Sequence, residues 1–151
     1  MEKLKMMLVD DEERFLSTTK KLLSRKGYEV FTASSGSEAL DMLRTHNIHV
    51  VILDVKMPGM DGIETLKTIK RTYPLVEVIM LTGHATVESA VEGLKSGATD
   101  YLMKPTDVQD LIDKAEAAFG RRQVLEDKIR VARTRTFMRT PREILRETEE
   151  L

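Results

Sequence analysis

The sequence predicts an α/β protein: an open, parallel, five-stranded sheet with helices on both faces and a C-terminal helical extension. Three observations carry this. Short apolar runs alternate with stretches of helical periodicity five times along the first 119 residues. The central runs are apolar throughout, the pattern of strands covered on both faces. Each periodic stretch is long enough to cross back over the sheet, and right-handed crossovers then make the strands parallel.

The first strand is the run at residues 6–9. Phe15, Thr19, Leu22 and Leu23 share one face of the first helix, and Gly27 stops it. Residues 28–33 alternate more and read as a strand near an edge. The second helix begins near Ser35-Gly36-Ser37 and carries Ala39, Leu40 and Leu43. Residues 50–53 form the third strand. The third helix carries Ile63, Leu66 and Ile69 and ends before Pro74. Residues 78–81 form the fourth strand. Val87, Ala90, Val91 and Leu94 mark the fourth helix, with Gly97 as its stop. Gly93 weakens that helix by roughly 1 kcal/mol relative to Ala. Residues 101–103 are a short last strand, and Val108, Leu111, Ile112, Ala115 and Phe119 mark the fifth helix.

A chain of 151 residues holds one domain and an appendage. With 41% hydrophobic and 32% charged residues it reads as soluble and globular, against disorder throughout. It has no cysteine, which excludes disulfides, thiolate metal sites and cysteine nucleophiles and fits a reducing cytoplasm. No apolar stretch approaches bilayer length, and the run at 6–9 is too short for a signal segment. A cytoplasmic protein is expected. The net charge of −1 is uneven: residues 120–151 hold nine basic and six acidic residues, so the preceding part is acidic. The asymmetry places a boundary near Gly120, with a domain over 1–120 and a helical tail over 121–151.

Ligands of such sheets bind outside the carboxyl ends of the strands. Asp10 and Asp11 follow the first strand, Asp54 the third, Thr82 the fourth and Lys104 the fifth. The second ends in Ala33-Ser34 and offers little. Three carboxylates on one edge repel, and a hard divalent cation relieves that repulsion. Mg²⁺ suits a site with few carboxylates and room for water and phosphate. Lys104 is one cation more than a plain metal site needs. It makes sense if a further anion arrives, such as a phosphoryl group, to which Thr82 can also donate. Each residue taken alone has an ordinary reading. An Asp after a strand is more often a helix N-cap, as Asp10 or Asp11 would be before Glu12. A strand-end Thr is usually structural, and a lone Lys is usually solvated. Their coincidence on one edge favours a site.

These residues resemble a family. Leu8-Val9-Asp10-Asp11-Glu12, the run from Ile52 through Asp54-Val55-Lys56-Met57-Pro58-Gly59-Met60-Asp61 to Gly62, Leu81-Thr82-Gly83-His84-Ala85, and the run from Gly97 to Lys104-Pro105 are similar to the receiver domain of bacterial two-component response regulators. The likeness covers about residues 4 to 119. It implies that Asp54 is the phosphoacceptor, fed by the phosphohistidine of a sensor histidine kinase or phosphotransfer protein. It implies that Asp10 and Asp11 hold Mg²⁺, Asp11 more directly, with the Lys56 backbone carbonyl as a further ligand. Thr82 resembles the switch hydroxyl, Tyr101 the switch aromatic and Lys104 the phosphate-binding lysine. The likeness also implies a cis Lys104–Pro105 peptide. The strand order 2-1-3-4-5 is that of flavodoxin-like folds, chemotaxis receivers included, and is expected by likeness rather than deduced. Such a protein is no enzyme toward outside substrates; it catalyses only its own phosphorylation and dephosphorylation. Its output surface is the fourth helix, fifth strand and fifth helix, with the fourth helix and its preceding loop mobile. In the family, positions such as Lys56 and His84 tune the phosphoryl lifetime, although a solvated loop histidine is the simpler reading of His84. His46 and His49, either side of Asn47, are not expected to bind metal. Met57-Pro58-Gly59 suits a type II turn, and Met57 and Met60 border the phosphorylation loop.

Residues 107–136 allow one long helix. Leu111, Ala115, Ala118, Arg122, Leu125, Ile129 and Ala132 are spaced as a heptad seam. A two-chain coiled coil, giving a homodimer through the fifth helix and tail, and a fifth helix folded back on its own domain both stay open. Gly120 is a candidate hinge. Thr140, Pro141 and Glu143 form a capping box for a last helix over 141–150. Six basic residues and no acid lie between Lys128 and Arg142. They could meet DNA phosphate or an acidic partner, but a solvated helix face is the simpler reading. The tail is too short for a helix-turn-helix with its own core, so direct DNA binding by this chain is not expected. It has no Walker A sequence. A stand-alone regulator and a fragment of a longer one both remain open.

Three other classes compete. A flavodoxin-like cofactor binder would want a Ser/Thr/Gly-rich loop after the first strand, where Asp10-Asp11-Glu12-Glu13 would repel phosphate. An aspartyl-phosphate phosphohydrolase would want Asp-x-Asp, and Lys56 stands where the second acid belongs. A scaffold that never turns over would show no acyl phosphate.

Overall fold

In the computed structural model the strands lie in the order β2-β1-β3-β4-β5, all parallel. They are β1 (Lys5–Val9), β2 (Glu29–Ala33), β3 (Val50–Asp54), β4 (Glu77–Thr82) and β5 (Asp100–Met103). The helices between and after them are α1 (Glu13–Arg25), α2 (Gly36–Thr45), α3 (Gly62–Thr72), α4 (Val87–Lys95) and α5 (Val108–Met138). The structure describes residues 2–55, 62–83 and 87–138, the side chains at 87, 89 and 136–138 excepted. The expected class and strand order hold. The Met57-Pro58-Gly59 turn, the capping box at Thr140 and the last helix over 141–150 fall outside the described residues.

Strand side chains alternate between two faces, so each apolar run feeds two cores. Met7, Val9, Val51, Leu53, Val78 and Met80 pack with Ala39, Leu43, Ile63, Leu66 and Ile69 of α2 and α3. Met6, Leu8, Val50, Ile52, Ile79 and Leu81 pack on the other face with Leu16 and Leu23 of α1 and Leu111, Ile112, Ala115 and Ala118 of α5. Burying one such Leu or Ile side chain contributes roughly 1.5–3 kcal/mol. β2 is an edge strand, which explains its mixed burial. α2 begins at a filled cap: Ser35 Oγ accepts from the Glu38 N–H (3.1 Å), and the Glu38 carboxylate accepts from the Ser34 N–H (3.1 Å). The turns after α1 and α4 use Gly27 (φ 91°) and Gly97 (φ 108°), a conformation that costs other residues more.

Two helix faces differ from expectation. Leu22 is exposed, because α1 turns Leu16, Thr19 and Leu23 toward the sheet instead. On α4, Ala90 is buried but Val91 and Leu94 are 42% and 45% exposed. Gly93 explains the shift. A Cβ there would overlap the thioether of Met80, so the glycine is the notch that receives Met80. α4 therefore seats on the sheet through small residues and turns its larger ones outward.

α5 runs unbroken through Gly120. Leu111, Ala115, Ala118 and Arg122 of the heptad seam face the protein's own body, whereas Leu125 and Ile129 are exposed, as are Val124 and Val131. The handover is at Arg122, 9% exposed, whose Nη1 donates to the Ile48 carbonyl (3.1 Å) and whose Nε donates to Glu126 Oε1 (2.8 Å). His49 lies nearby. Its Nδ1 accepts from the Lys5 N–H (3.0 Å), its ring lies 4.9 Å from that of Phe119, and its Nε2 pairs with Glu2 (3.1 Å). Burial, and then the Arg122 charge, push its pKa below the usual histidine range. Among the described residues no helix is long and apolar enough to cross a membrane.

Candidate functional site

The register brings the predicted residues to one edge. Val9 pairs with Leu53, Asp54 with Leu81, and Thr82 with Met103. Asp54 and Thr82 are thus the last residues of their strands, and Asp10 and Lys104 the first beyond theirs. Backbone bonds continue the ladder and fix each position. Asp10 N–H donates to the Ala33 carbonyl (3.1 Å), Val55 N–H to the Leu81 carbonyl (3.3 Å) and Lys104 N–H to the Thr82 carbonyl (2.8 Å). The Lys104–Pro105 peptide is cis.

Carboxylate oxygens of Asp10, Asp11 and Asp54 lie within 4.8 Å of one another. Asp10 and Asp54 are 1% and 7% exposed, and Asp11 faces solvent. Lys104 Nζ lies 2.5 Å from Asp10 Oδ2, 3.6 Å from Glu12 Oε2 and 3.9 Å from Asp54 Oδ2. Burial pushes the Lys104 pKa down, but the hydrogen bond to Asp10 and the charges of Asp10, Asp54 and Glu12 outweigh it. The net shift is upward, so Lys104 is a fixed cation. Asp10 Oδ1 accepts from the Glu12 N–H (2.9 Å), a local turn bond. The N-cap of α1 is Glu12, with no side-chain cap bond, so neither aspartate is spent as the cap.

Three acids, Asp10, Glu12 and Asp54, face one ammonium here, and Asp11 joins Asp10 and Asp54 in a cluster of carboxylate oxygens. That set suits a hard divalent cation, and the cluster could hold one. Thr82 is buried at the same edge, while Tyr101 on β5 is 37% exposed. Lys56, whose carbonyl was expected as a ligand, and His84 lie outside the described residues.

Three contributors escape a reading of strand ends. Glu12 approaches Lys104, and the ring of Phe15, read as core, lies 4.5 Å below the same ammonium. Gly62 N–H donates to the Val55 carbonyl (3.1 Å), holding the start of α3 against Val55, the first residue after β3. Glu12 and Gly62 stand within the motifs that carry the family likeness, and Phe15 does not.

A family model described as the response regulator receiver domain matches residues 6–116. The chain belongs to that family. The receiver is 42% identical over 114 residues to the transcriptional regulatory protein ZraR of Escherichia coli (strain K12), covering 76% of this chain and 26% of that protein. It is 37% identical over 119 residues to the DNA-binding transcriptional regulator NtrC of Klebsiella pneumoniae, covering 77% and 25%. The crystal structure of a receiver domain protein from Clostridium thermocellum superposes with a TM-score of 0.76 at 40% identity, covering 81% of this chain and 98% of that one. The receiver spans about a quarter of the length of the curated relatives it matches. As a receiver it is a signalling switch whose catalysis is confined to its own phosphorylation and dephosphorylation.

Proposed function

We propose that Asp54 accepts a phosphoryl group from the phosphohistidine of a sensor histidine kinase or phosphotransfer protein in the cytoplasm. The observation that supports this reading is the convergence of Asp10, Asp11, Asp54 and Lys104 on one edge, with Lys104 Nζ between two buried carboxylates. Asp10, Asp11 and Asp54 would hold Mg²⁺, with the Lys56 carbonyl as the further ligand that the family likeness implies, and the ion would supply neutralisation of charge on the transferring phosphoryl oxygens. A carboxylate oxygen of Asp54 attacks phosphorus. The P–N bond breaks, and the departing imidazole nitrogen keeps the bonding pair and takes a proton. The product is an acyl phosphate on Asp54. Lys104 Nζ, 3.9 Å from Asp54 Oδ2, needs only a short move to reach a phosphoryl oxygen.

Phosphorylation adds about −1.5 to −2 charge to an edge that is already acidic. The Thr82 hydroxyl turns to the phosphoryl oxygens, and Tyr101 swings from its exposed position into the space Thr82 leaves. The output surface is α4, β5 and α5. Exposed Val91, Leu94, Tyr101 and Met103 on the first two of these support that reading. Residues 1–120 act as the receiver and 121–151 as its helical tail. The exposed Val124, Leu125, Ile129 and Val131 favour a homodimer through α5 and the tail. The curated relatives are named as transcriptional regulators, and control of such an output is the role that this reading gives the switch.

The test is incubation with acetyl phosphate and Mg²⁺, comparing wild type with Asp54→Asn by intact mass and light scattering. A phosphoryl mass gain that the variant loses is the expected result. No gain in wild type, with metal present, would leave the scaffold reading in its place.

A further inference from the structure

The Lys104 ammonium has carboxylates on one side and an aromatic face on the other. Its Nζ lies 4.5 Å from the centroid of the Phe15 ring. Phe15 is half-buried and packs with the core formed by α1 and α5. It sits in the first turn of α1, where long side chains lean toward the helix N-terminus and so over the carboxyl edge of the sheet.

We propose that Phe15 is a positioning residue for Lys104, an aromatic shelf along which the ammonium moves from Asp10 to the phosphoryl oxygens on Asp54. The inference rests on the reading of Lys104 as the phosphate-binding lysine. At rest Nζ is 2.5 Å from Asp10 and 3.9 Å from Asp54. To serve the phosphoryl group it must give up the first contact and close the second. A hydrogen bond weakens steeply over such a displacement. The attraction of a cation to a ring face persists to about 6 Å from the centroid, so sliding from 4.5 Å keeps it. The Lys104 side chain is only 19% exposed, which limits how far water can replace the lost carboxylate. Phe15 therefore holds one favourable contact constant while the other changes partner. An aliphatic side chain of similar reach would support the lysine methylenes but offer the ammonium no negative face.

The experiment follows phosphorylation by acetyl phosphate and Mg²⁺ on the full chain, by intact mass against time. Phe15→Leu and Phe15→Met are expected to slow it about threefold to tenfold. Phe15→Tyr and Phe15→Trp, which keep a π face, should restore it. In NMR spectra the Lys104 Hε and Hζ resonances should carry an upfield ring-current shift that Phe15→Leu and Phe15→Met remove and Phe15→Trp keeps. On a Lys104→Ala background, Phe15→Leu should slow the reaction no further. A wild-type rate in the folded Leu and Met variants overturns the assignment, as do additive effects in the double variant or aromatic variants as slow as the aliphatic ones. Failure of the underlying reading looks different: Lys104→Ala alone would then phosphorylate at the wild-type rate, and both claims would fall together.

Discussion

Replacing Gly62 by alanine tests whether the edge of the sheet is held to the tolerance its chemistry needs. A Cβ on Gly62 would stand 2.5 Å from Val55 Cα and 2.6 Å from the carbonyl oxygens of Asp54 and Val55. Ordinary contact begins near 3.4 Å, so the start of α3 and the end of β3 must part by most of an ångström. All three obstacles are backbone, and they belong to Asp54, the proposed phosphoacceptor, and its neighbour Val55. Two effects oppose. Alanine gains up to about 1 kcal/mol of helix propensity, less at a first helical position. Overpacking against fixed backbone costs about 1–3 kcal/mol, and the Gly62 N–H bond to Val55 is strained with it. Net destabilisation of about 1–2 kcal/mol is expected, read from urea unfolding midpoints. The larger effect is on chemistry. A misplacement of about 1 Å costs on the order of 100-fold in rate where reacting groups must align. Phosphorylation by acetyl phosphate should fall about 10- to 100-fold. Gly120→Ala is the control, because a Cβ there meets nothing within 4 Å. It should stabilise the helix by up to about 1 kcal/mol and leave phosphorylation unchanged. A Gly62→Ala protein that phosphorylates as fast as Gly120→Ala would refute the argument.

Three further predictions concern metal, pH and α5. Asp11→Asn should raise the Mg²⁺ concentration for half-maximal phosphorylation by at least about tenfold, and an unchanged requirement would remove Asp11 from the ligand set. His49 is held below its usual pKa by burial and by Arg122, so below about pH 6.5 the unfolded chain binds more protons than the folded one. Stability should be full above that pH and decline as pH falls through the window toward the depressed value; His49→Gln should flatten the decline in urea midpoints between pH 8 and 5. Arg122→Met removes the donor to the buried Ile48 carbonyl and the partner of Glu126, and should cost about 1–3 kcal/mol in thermal or urea unfolding.

The sheet was legible because its strands are covered on both faces. A run such as Val50 to Leu53 carries no period of its own, yet once the order of elements is known its carboxyl end is fixed, and with it Asp54. Asp10, Thr82 and Lys104 followed from the same rule. Faces were harder. Helical periodicity locates an apolar stripe but not what covers it. On α4 the notch at Gly93 takes Met80 and turns Val91 and Leu94 outward, which the spacing of apolar residues does not encode. On α5 one heptad seam serves two surfaces: Leu111, Ala115, Ala118 and Arg122 meet the chain's own sheet, while Leu125 and Ile129 do not. Phe15 was illegible for a related reason. Its place in the first helix reads as core, and only the three-dimensional fold brings Lys104, the residue after β5, over its ring.

The two ends of the sheet differ in how they treat charge, and the difference marks which end works. At the amino end the buried polar groups are matched. Arg122 has the Ile48 carbonyl and Glu126, and Lys70 donates to the Pro74 and Val76 carbonyls at 2.9 Å. Glu77 accepts from the Thr99 hydroxyl and lies 3.8 Å from Arg121, and neutral His49 bridges Lys5 and Glu2. Such a set ties α5 to the base of the sheet, and among the described residues it leaves no buried side-chain polar atom without a partner. At the carboxyl end Asp10, Asp11, Glu12 and Asp54 outnumber Lys104. Buried charge of one sign, as on Asp10 and Asp54, is costly to keep, and folding alone gives no reason to gather four acids at the ends of β1 and β3. A cation of higher charge answers the excess, and a phosphoryl group restores a demand for Lys104. The excess of carboxylates sets this edge apart from the amino end, and a hard divalent cation is the ligand class that fits it.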